Sequence, residues 1–228
     1  MKVIISDFVQ GAKSAQGIAV IIDVFRAFSV ACYCLDKQPK SYTAIGSVEQ
    51  ALLLKETTQQ AVLIGEREGK KLAGFDHGNS PTELSVAEVM GKNIIHTTHA
   101  GTQGLVNAIQ AEQILTGSFL NAQATVDYIR SQQPDTVTLV RMGWKAESNT
   151  DEDDLCAEYM RALLLDIPFD VNSIKPKLMA SPCAERFFDP RQPWNPETDL
   201  ELCLNINAFD FAVKANAINS GAVELQRL

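Results

Sequence analysis

Charged side chains follow two apolar segments in the first third of the chain. Asp23 ends the segment IAVIID, and Arg26 follows three residues later at the predicted start of a helix. Glu66 ends a second segment, AVLIGE, with Arg67 beside it. Ligands of open α/β sheets bind beyond the carboxyl ends of the strands, where a carboxylate suits a metal ion and a guanidinium suits an oxyanion. A capped helix with an exposed arginine, and a surface ion pair, are the alternatives.

The most specific local sequence is GFDHGNSP, at residues 74–81. Asp76 stands in a predicted tight turn, and Asn79 and Ser80 precede the next predicted helix. Backbone N–H groups at a helix start can bind a phosphate. A structural Asx turn is the alternative. The combination of Asp, His, Asn and Ser in one short stretch favours a binding site.

Two further polar segments follow predicted strands. TTHAGT spans residues 97–102 and GSFLN spans residues 117–121, each between a predicted strand and a predicted helix. Such turns can bind anions, although an ordinary strand–helix connection capped by threonine would have the same sequence. The predicted neutral hydrogen-bonding residues for a substrate are Asn79, Ser80, Thr98, Thr102 and Ser118.

Four consecutive acidic residues, DEDD at 151–154, begin another predicted helix. One or two acidic residues already complement a helix dipole. Four like charges repel one another unless a cation is nearby, and Mg²⁺ is held by a few carboxylates together with substrate phosphate. The candidate metal ligands or general bases are Asp23, Glu66, Asp76, Glu152 and Asp153, and the predicted catalytic residues are Asp23, Arg26, Glu66 and Asp76.

Motifs of several other enzyme classes are absent from the sequence. It has no GxxxxGK[ST] loop, no GxGxxG, no Cys-x5-Arg loop and no GxSxG elbow, which argues against P-loop, dinucleotide-binding, cysteine-phosphatase and α/β-hydrolase chemistry. The three histidines lack metal-ligand spacing. The five cysteines form no CxxC pair and are predicted to be packing thiols in a reducing compartment.

Apolar segments of four to seven residues alternate with helical patterns. This alternation predicts a three-layer α/β/α sandwich with a mostly parallel or mixed sheet, formed by residues 1–228 as a single domain. Residues 186–198, with three prolines and a tryptophan, are predicted to form a packed surface loop. The predicted strands are Lys2–Phe8, Ile18–Asp23, Tyr42–Ile45, Ala61–Gly65, Asn93–Thr97, Gln113–Thr116 and Thr136–Arg141; the predicted helices are Ala27–Leu35, Ser47–Thr57, Ser85–Met90, Thr102–Ala108, Asn121–Gln132 and Asp151–Leu165, with capping boxes at Ser47/Gln50 and Ser85/Glu88.

The composition favours a folded protein with a small-molecule ligand. Of 228 residues, 28 are acidic and 20 basic, which gives a net charge of −8 and argues against nucleic-acid binding. The apolar runs are too short to cross a membrane, and the N-terminal segment is too short for a signal peptide. We therefore expect a cytoplasmic protein without membrane contact. A homodimer is expected because symmetric dimers are common.

The motifs IDVFRAF, GEREGKKLAGFDHGNSP, TTHAGT, GSFLNA and EDDLCA resemble, in order and spacing, those of the 2-phosphosulfolactate phosphatases. The later segment DLELCLNIN is similar to that family's closing segment, so the resemblance covers nearly the whole chain. It implies a Mg²⁺-dependent phosphatase that hydrolyses 2-phospho-3-sulfolactate to 3-sulfolactate and phosphate, in the sulfolactate branch of coenzyme M biosynthesis. One carboxylate would then activate water, and Arg26 would bind the phosphate or the sulfonate.

The chain departs from this family in two places. His99 and Ala100 stand where the family usually has Thr and Asn, and the segment RMGWKAESNT, residues 141–150, is unusual. We therefore expect Arg141, Trp144 and Lys145 to reshape the substrate pocket. The alternatives are a phosphatase of another small anionic hydroxy-acid phosphate, and a homologue that binds an anionic metabolite without turnover.

Overall fold

A computed structural model describes residues 1–219 and 221–228 of the chain. Its central feature is one long, mixed β-sheet, as the sequence predicts. Apolar β-branched residues fill most strands, and the strand of residues 18–22 is buried throughout, as expected when helices cover both faces. The strands are β1 (Lys2–Asp7), β2 (Ile18–Ile22), β3 (Ser41–Ile45), β4 (Ala61–Arg67), β5 (Lys70–Lys71), β6 (Asn93–Thr97), β7 (Gln113–Gly117), β8 (Thr136–Arg141), β9 (Val213–Asn219) and β10 (Ala222–Arg227).

The sheet consists of two parallel groups joined by an antiparallel pair. Over the described residues the order is β1-β8-β2-β7-β9-β10-β3-β6-β4-β5. Strands β1, β8, β2 and β7 are parallel to one another, and so are β3, β6 and β4. The contacts β7–β9, β9–β10 and β10–β3 are all antiparallel. The two parallel groups therefore run in opposite directions through the sheet.

Helices cover both faces of this sheet. The 3₁₀ turns Phe119–Asn121 and Val171–Ser173 add short connections. Among the described residues, the structure has no helix that combines the length and the apolar character needed to cross a membrane. The helices are α1 (Phe8–Ser14), α2 (Ala27–Asp36), α3 (Val48–Thr57), α4 (Pro81–Val86), α5 (Gly101–Asn107), α6 (Ala122–Gln132), α7 (Asp151–Leu165), α8 (Ile174–Met179), α9 (Pro182–Glu185) and α10 (Glu197–Cys203).

Alternate residues of the strands pack into different hydrophobic clusters, which defines the three layers. Ala19 and Ile21 of β2 pack with α1, α2, α4 and α5 in the largest cluster. Their neighbours Val20 and Ile22 pack on the opposite face with residues of α6 to α10. A smaller cluster beneath α3 contains Ile45 and residues of β4 and β6. The α/β/α sandwich predicted from the sequence is confirmed.

One predicted helix is misplaced. The sequence predicts a helix over 85–90 with a cap at Ser85, but α4 spans Pro81–Val86. The Ser80 hydroxyl accepts a hydrogen bond from the Glu83 backbone N–H at 3.3 Å, and Pro81 occupies the first helical turn. A serine cap followed directly by proline fixes a helix start, which explains why the helix begins earlier than predicted.

Candidate active site

A pocket lies where the segments after β2, β4, β6 and β8 converge. Strands β2 and β4 belong to groups of opposite direction, six positions apart in the sheet order. Sheets twist cumulatively from strand to strand, and here Asp23 after β2 and Glu66 of β4 line the same pocket. The complete lining is Asp23, Phe25, Arg26, Glu66, Glu68, Gly69, Asn79, His99, Ala100, Gly143, Trp144, Lys145 and Arg186.

The carboxylates of Asp23 and Glu66 are fixed by backbone donors. Asp23 Oδ1 accepts a hydrogen bond from the Ala27 N–H at 3.1 Å. Glu66 accepts from the N–H groups of Gly69 at 2.7 Å and His99 at 2.8 Å, one at each oxygen. Each carboxylate oxygen has two acceptor lone pairs. Both side chains therefore keep acceptor capacity for a ligand.

Gly101 permits the close approach between α5 and Asp23. A Cβ atom added to Gly101 would lie 2.7 Å from Asp23 Oδ2 and 2.7 Å from the Ala27 Cβ. Real Cβ atoms do not approach other atoms so closely. Ala27 is buried in the first turn of α2, and the buried Asp23 is fixed by its hydrogen bond from the Ala27 N–H. Glycine is therefore required at position 101 for this geometry.

Burial and like charges raise the pKa values of the acidic residues near the pocket. Burial, followed by the charges of Glu66 and Glu152, raises the pKa of Asp23 to about 7. The pKa of Asp153 is raised well above its usual value by burial and by the charges of Glu152 and Asp23. A bound cation would stabilise the ionised form of these groups.

Two of the predicted metal ligands lie beside the pocket without lining it. Both oxygens of Asp153 accept backbone N–H groups, from Val24 and from Gly143, each at 2.8 Å. Asp153 therefore positions the two segments that follow β2 and β8. Glu152 lies 3.9 Å from a nitrogen of Arg186, and its Oε2 is buried without a hydrogen-bond partner among the described residues.

The structure does not bring Asp76 to the pocket, contrary to its predicted place among the catalytic and metal-binding residues. Its side chain is exposed, accepts a hydrogen bond from the Leu63 N–H at 2.8 Å and pairs with Lys55 at 3.1 Å. The turn that carries Asp76 folds back along β4, where the Gly65 N–H donates to the His77 carbonyl. This local pairing directs Asp76 to the protein surface.

Arg26 lines the pocket, but most of its donors already have partners in the protein. Its guanidinium forms a buried ion pair with Asp199. It also donates to the carbonyl oxygens of Trp194 at 2.9 Å and Gly69 at 3.2 Å. Asp199 was not among the predicted site residues, although it belongs to the segment DLELCLNIN that carries part of the family resemblance.

Among the five neutral residues predicted to bind substrate, Asn79 is on the pocket lining. Its Oδ1 lies 3.2 Å from His96 Nε2, and His96 Nδ1 lies 2.7 Å from the Tyr42 hydroxyl. Burial lowers the pKa of His96 to about 3, so this histidine is neutral at physiological pH. The chain of hydrogen bonds holds the Asn79 amide in one orientation.

The other four residues bond to the protein itself. The hydroxyl of Ser80 donates to Asp199 at 2.7 Å. Thr98 and Thr102 each accept the other's backbone N–H, at 3.1 and 3.0 Å. Ser118 donates to Asn121 at 3.2 Å. All four are buried, and these bonds satisfy the polar groups of strand–helix connections.

The loop after β8 contributes residues that the sequence analysis associated with the substrate pocket. Trp144 and Lys145 lie on the lining, as expected, and Lys145 pairs with Glu68 from the turn after β4. Arg141 does not line the pocket, contrary to expectation, because it forms ion pairs with Asp7 and Asp154. Gly143, Lys145 and Ala146 all have left-handed backbone conformations. A Cβ atom on Gly143 would lie 2.1 Å from the Ser148 carbonyl oxygen. The tight turn therefore depends on glycine at this position.

Arg186, after α9, is the lining residue that the sequence analysis missed. The segment that begins with it was predicted to be a packed surface loop, and its sequence RFF offered one signal, a charged residue next to two aromatic ones. Arg186 Nη2 donates to the Phe25 carbonyl at 3.0 Å. Burial lowers the pKa of its guanidinium.

Asp23 and Glu66 are the pocket residues that could hold a divalent metal ion. No group of three or more His, Cys, Asp or Glu side chains in the described part of the chain is placed to hold a metal. Mg²⁺ is commonly bound by one or two carboxylates, several waters and substrate phosphate. Asp23 and Glu66 suit this mode, because both line the pocket and keep free lone pairs.

Comparisons with known proteins identify the family of this chain. The family model described as 2-phosphosulpholactate phosphatase matches residues 4–217. A "Probable 2-phosphosulfolactate phosphatase" of Clostridium perfringens (strain 13 / Type A) is 31% identical over 226 residues, covering 91% of this chain and 90% of the relative. A protein of the same name from Bacillus subtilis (strain 168) is 29% identical over 199 residues, covering 86% of each chain. The chain therefore belongs to the 2-phosphosulpholactate phosphatase family.

Proposed function

We propose that this protein is a Mg²⁺-dependent phosphatase that hydrolyses 2-phospho-3-sulfolactate to 3-sulfolactate and inorganic phosphate. One observation carries the proposal: two buried carboxylates, Asp23 and Glu66, line one pocket and are held there by backbone N–H groups. The names of the relatives supply the substrate. The sulfolactate product would belong to the branch of coenzyme M biosynthesis that the sequence resemblance implies.

Asp23 and Glu66 would hold the magnesium ion. When bound, Mg²⁺ neutralises the charge that develops on the phosphoryl oxygens. Without a cation, the two carboxylates would repel a phosphate that carries the same sign of charge. The pKa of Asp23, raised to about 7 by burial and by its acidic neighbours, is consistent with a site built to receive positive charge.

The side chains of the pocket would orient the phosphate and the water. One of the two pocket carboxylates, Asp23 or Glu66, would orient the attacking water and accept its proton. Water attacks phosphorus, and the bond between phosphorus and the oxygen on C2 of the substrate breaks. The released oxygen takes the proton that the carboxylate removed from water. Asn79, fixed by His96, would donate its amide N–H groups to a phosphoryl oxygen.

The decisive experiment measures release of inorganic phosphate from a panel of esters. The panel contains 2-phospho-3-sulfolactate, a 2-phospho-hydroxy acid that lacks the sulfonate, and p-nitrophenyl phosphate. The proposal requires Mg²⁺-dependent release with the highest kcat/KM for the first compound. A preference for the second would reassign the substrate. Binding of 3-sulfolactate without phosphate release from any ester would instead indicate a non-catalytic homologue.

We also propose that the protein is cytoplasmic and forms a homodimer. The five cysteines are free in the structure, as suits a reducing compartment such as the cytoplasm. A homodimer is proposed on the frequency of symmetric dimers alone. Sedimentation equilibrium on the purified protein measures its mass in solution and decides between one chain and two.

A further inference from the structure

A second cavity adjoins the active-site pocket on the side of Arg186. It is the wider of the two and is lined by residues after β8, around the start of α7 and near α9. Trp144 and Arg186 line both cavities, whereas Asp23 and Glu66 line only the first. Arg186 therefore marks the boundary between the carboxylate end of the pocket and a wider groove.

Aromatic rings and a backbone carbonyl hold the Arg186 guanidinium in place. Its carbon Cζ lies 5.1 Å from the ring centroids of Trp144 and Phe187 and 5.9 Å from that of Phe25. Cation–π contacts of this kind orient a guanidinium without occupying its N–H groups. Its Nε is buried and has no hydrogen-bond partner among the described residues.

The other cations of the pocket are already neutralised by close carboxylates. Arg26 is paired with Asp199 and Lys145 with Glu68. Arg186 forms a longer ion pair with Glu152, whose oxygen is 3.9 Å from Arg186 Nη2 and thus beyond hydrogen-bond distance. A buried donor without a partner is costly, so this guanidinium is the natural receptor for an anionic ligand group.

We propose that Arg186 recognises the acid groups of the substrate that are not hydrolysed, its carboxylate or sulfonate, and so determines specificity for acid-bearing phosphate esters. This inference rests on the proposed function, which places the phosphate at Asp23 and Glu66. The rest of the substrate then extends towards the shared wall of the two cavities. A guanidinium presents a planar fork that matches two oxygens of a carboxylate or a sulfonate.

The test compares binding of two probes by calorimetry in the presence of Mg²⁺: 3-sulfolactate, which has both acid groups, and inorganic phosphate. Arg186→Gln should weaken binding of 3-sulfolactate by at least about tenfold, since a charge-assisted hydrogen bond is lost. Its affinity for phosphate should stay within a few-fold of the parent. Arg191→Gln removes the same charge from a side chain that is 87% exposed, and it should leave both affinities unchanged.

Arg186→Lys provides a second test in case the glutamine variant does not fold. Lysine keeps the positive charge but offers a single donor point, so this variant should bind 3-sulfolactate with intermediate affinity. Circular dichroism and melting temperature establish that each variant is folded. If the glutamine variant is unfolded, the lysine variant decides, and parent-like binding of 3-sulfolactate by it would overturn the bidentate assignment.

The remaining outcomes separate this inference from the proposed function. If Arg186→Gln loses affinity for 3-sulfolactate and for phosphate equally, Arg186 either contacts the phosphate or supports the fold, and the inference is overturned. Unchanged binding of both probes, or no binding of 3-sulfolactate by the parent, would also overturn it. The phosphatase proposal is tested separately: it fails if the parent releases no phosphate from any ester. In that case the change in affinity for 3-sulfolactate relative to phosphate in Arg186→Gln still tests the role of Arg186.

Discussion

The guanidinium of Arg26 and the carboxylate of Asp199 form an almost completely buried ion pair, although the two residues are 173 positions apart in the chain. The same carboxylate accepts the Ser80 hydroxyl and the Thr82 N–H at the start of α4. The pair therefore ties together the start of α2, the start of α4 and helix α10. It gives Arg26 a structural task that its position after β2 does not reveal.

We expect Arg26→Ala to destabilise the protein. Removing one partner from a buried ion pair costs about 3–5 kcal/mol, because the other charge is left without compensation. Urea denaturation measures the change in the free energy of unfolding. The control, Arg191→Ala at an exposed pair with Asp189, should cost at most about 1 kcal/mol. If Arg26→Ala instead keeps the stability of the parent but loses much of its kcat/KM, Arg26 binds the phosphate or the sulfonate of the substrate, as the sequence predicted.

Phosphatase activity should depend on Mg²⁺ and on the two pocket carboxylates. We expect EDTA to abolish phosphate release, and Asp23→Asn and Glu66→Gln to lower kcat by about 10²-fold or more. Asp76→Asn is the matched control, since it makes the same chemical change at an exposed residue outside the pocket. Its kcat should remain within a few-fold of the parent. Full turnover in metal-free buffer would refute the magnesium requirement.

The stability of the metal-free protein should fall as the pH rises from about 4 to 7. Burial and neighbouring carboxylates raise the pKa of Asp23 from 3.8 in the unfolded chain to about 7 in the folded protein. Across this window the folded state holds a proton that the unfolded state has already released. Rising pH therefore favours unfolding until the pH exceeds the folded-state pKa.

Thermal unfolding of the parent and of Asp23→Asn across this pH range isolates the contribution of Asp23. The difference in unfolding free energy should move steadily in favour of the asparagine variant as pH rises, because asparagine carries no charge. Adding Mg²⁺ at pH 8 should raise the melting temperature of the parent more than that of the variant, because a ligand of the folded state stabilises it. Equal pH profiles for the two proteins would contradict the raised pKa.

The cysteines should be dispensable for turnover. Cys156 is fully buried, and burial raises its pKa well above the usual value for a thiol. Cys183 lines the adjoining cavity, and burial with the nearby Glu152 raises its pKa to about 12. Neither is a thiolate nucleophile at neutral pH. Cys156→Ala and Cys183→Ala should keep kcat within a few-fold of the parent, and mass spectrometry should detect no phosphocysteine.

Local sequence patterns predict most of the first 165 residues of the fold. Strands β6 and β8 have their predicted bounds, and Ser47 caps α3 as expected. Strands β9 and β10 were missed. Their residues alternate apolar with polar, as in Val213-Lys214-Ala215-Asn216, a weaker signal than the continuous apolar runs of β2 and β4. Their central position depends on pairing with β3 and β7, which are distant in sequence.

Some residues of the candidate site could likewise be predicted from the sequence, and others could not. Asp23 and Glu66 follow apolar strands, so their placement could be predicted, although the opposite directions of β2 and β4 could not. Thr98 and Thr102 resemble ligand-binding residues in type, yet they satisfy each other's backbone groups. Arg186 was missed because its position is determined by tertiary packing against three aromatic rings. Residue type and spacing do not encode such packing.

The central position of β9 and β10 also affects how the chain can fold during synthesis. Until residues 213–227 leave the ribosome, β7 and β3 are both unpaired edges of two separate half-sheets. Exposed strand edges pair readily with other chains. Between the synthesis of β7 and that of β9 and β10, the nascent protein therefore carries two aggregation-prone edges, and chaperones that bind extended segments should associate with it during this interval.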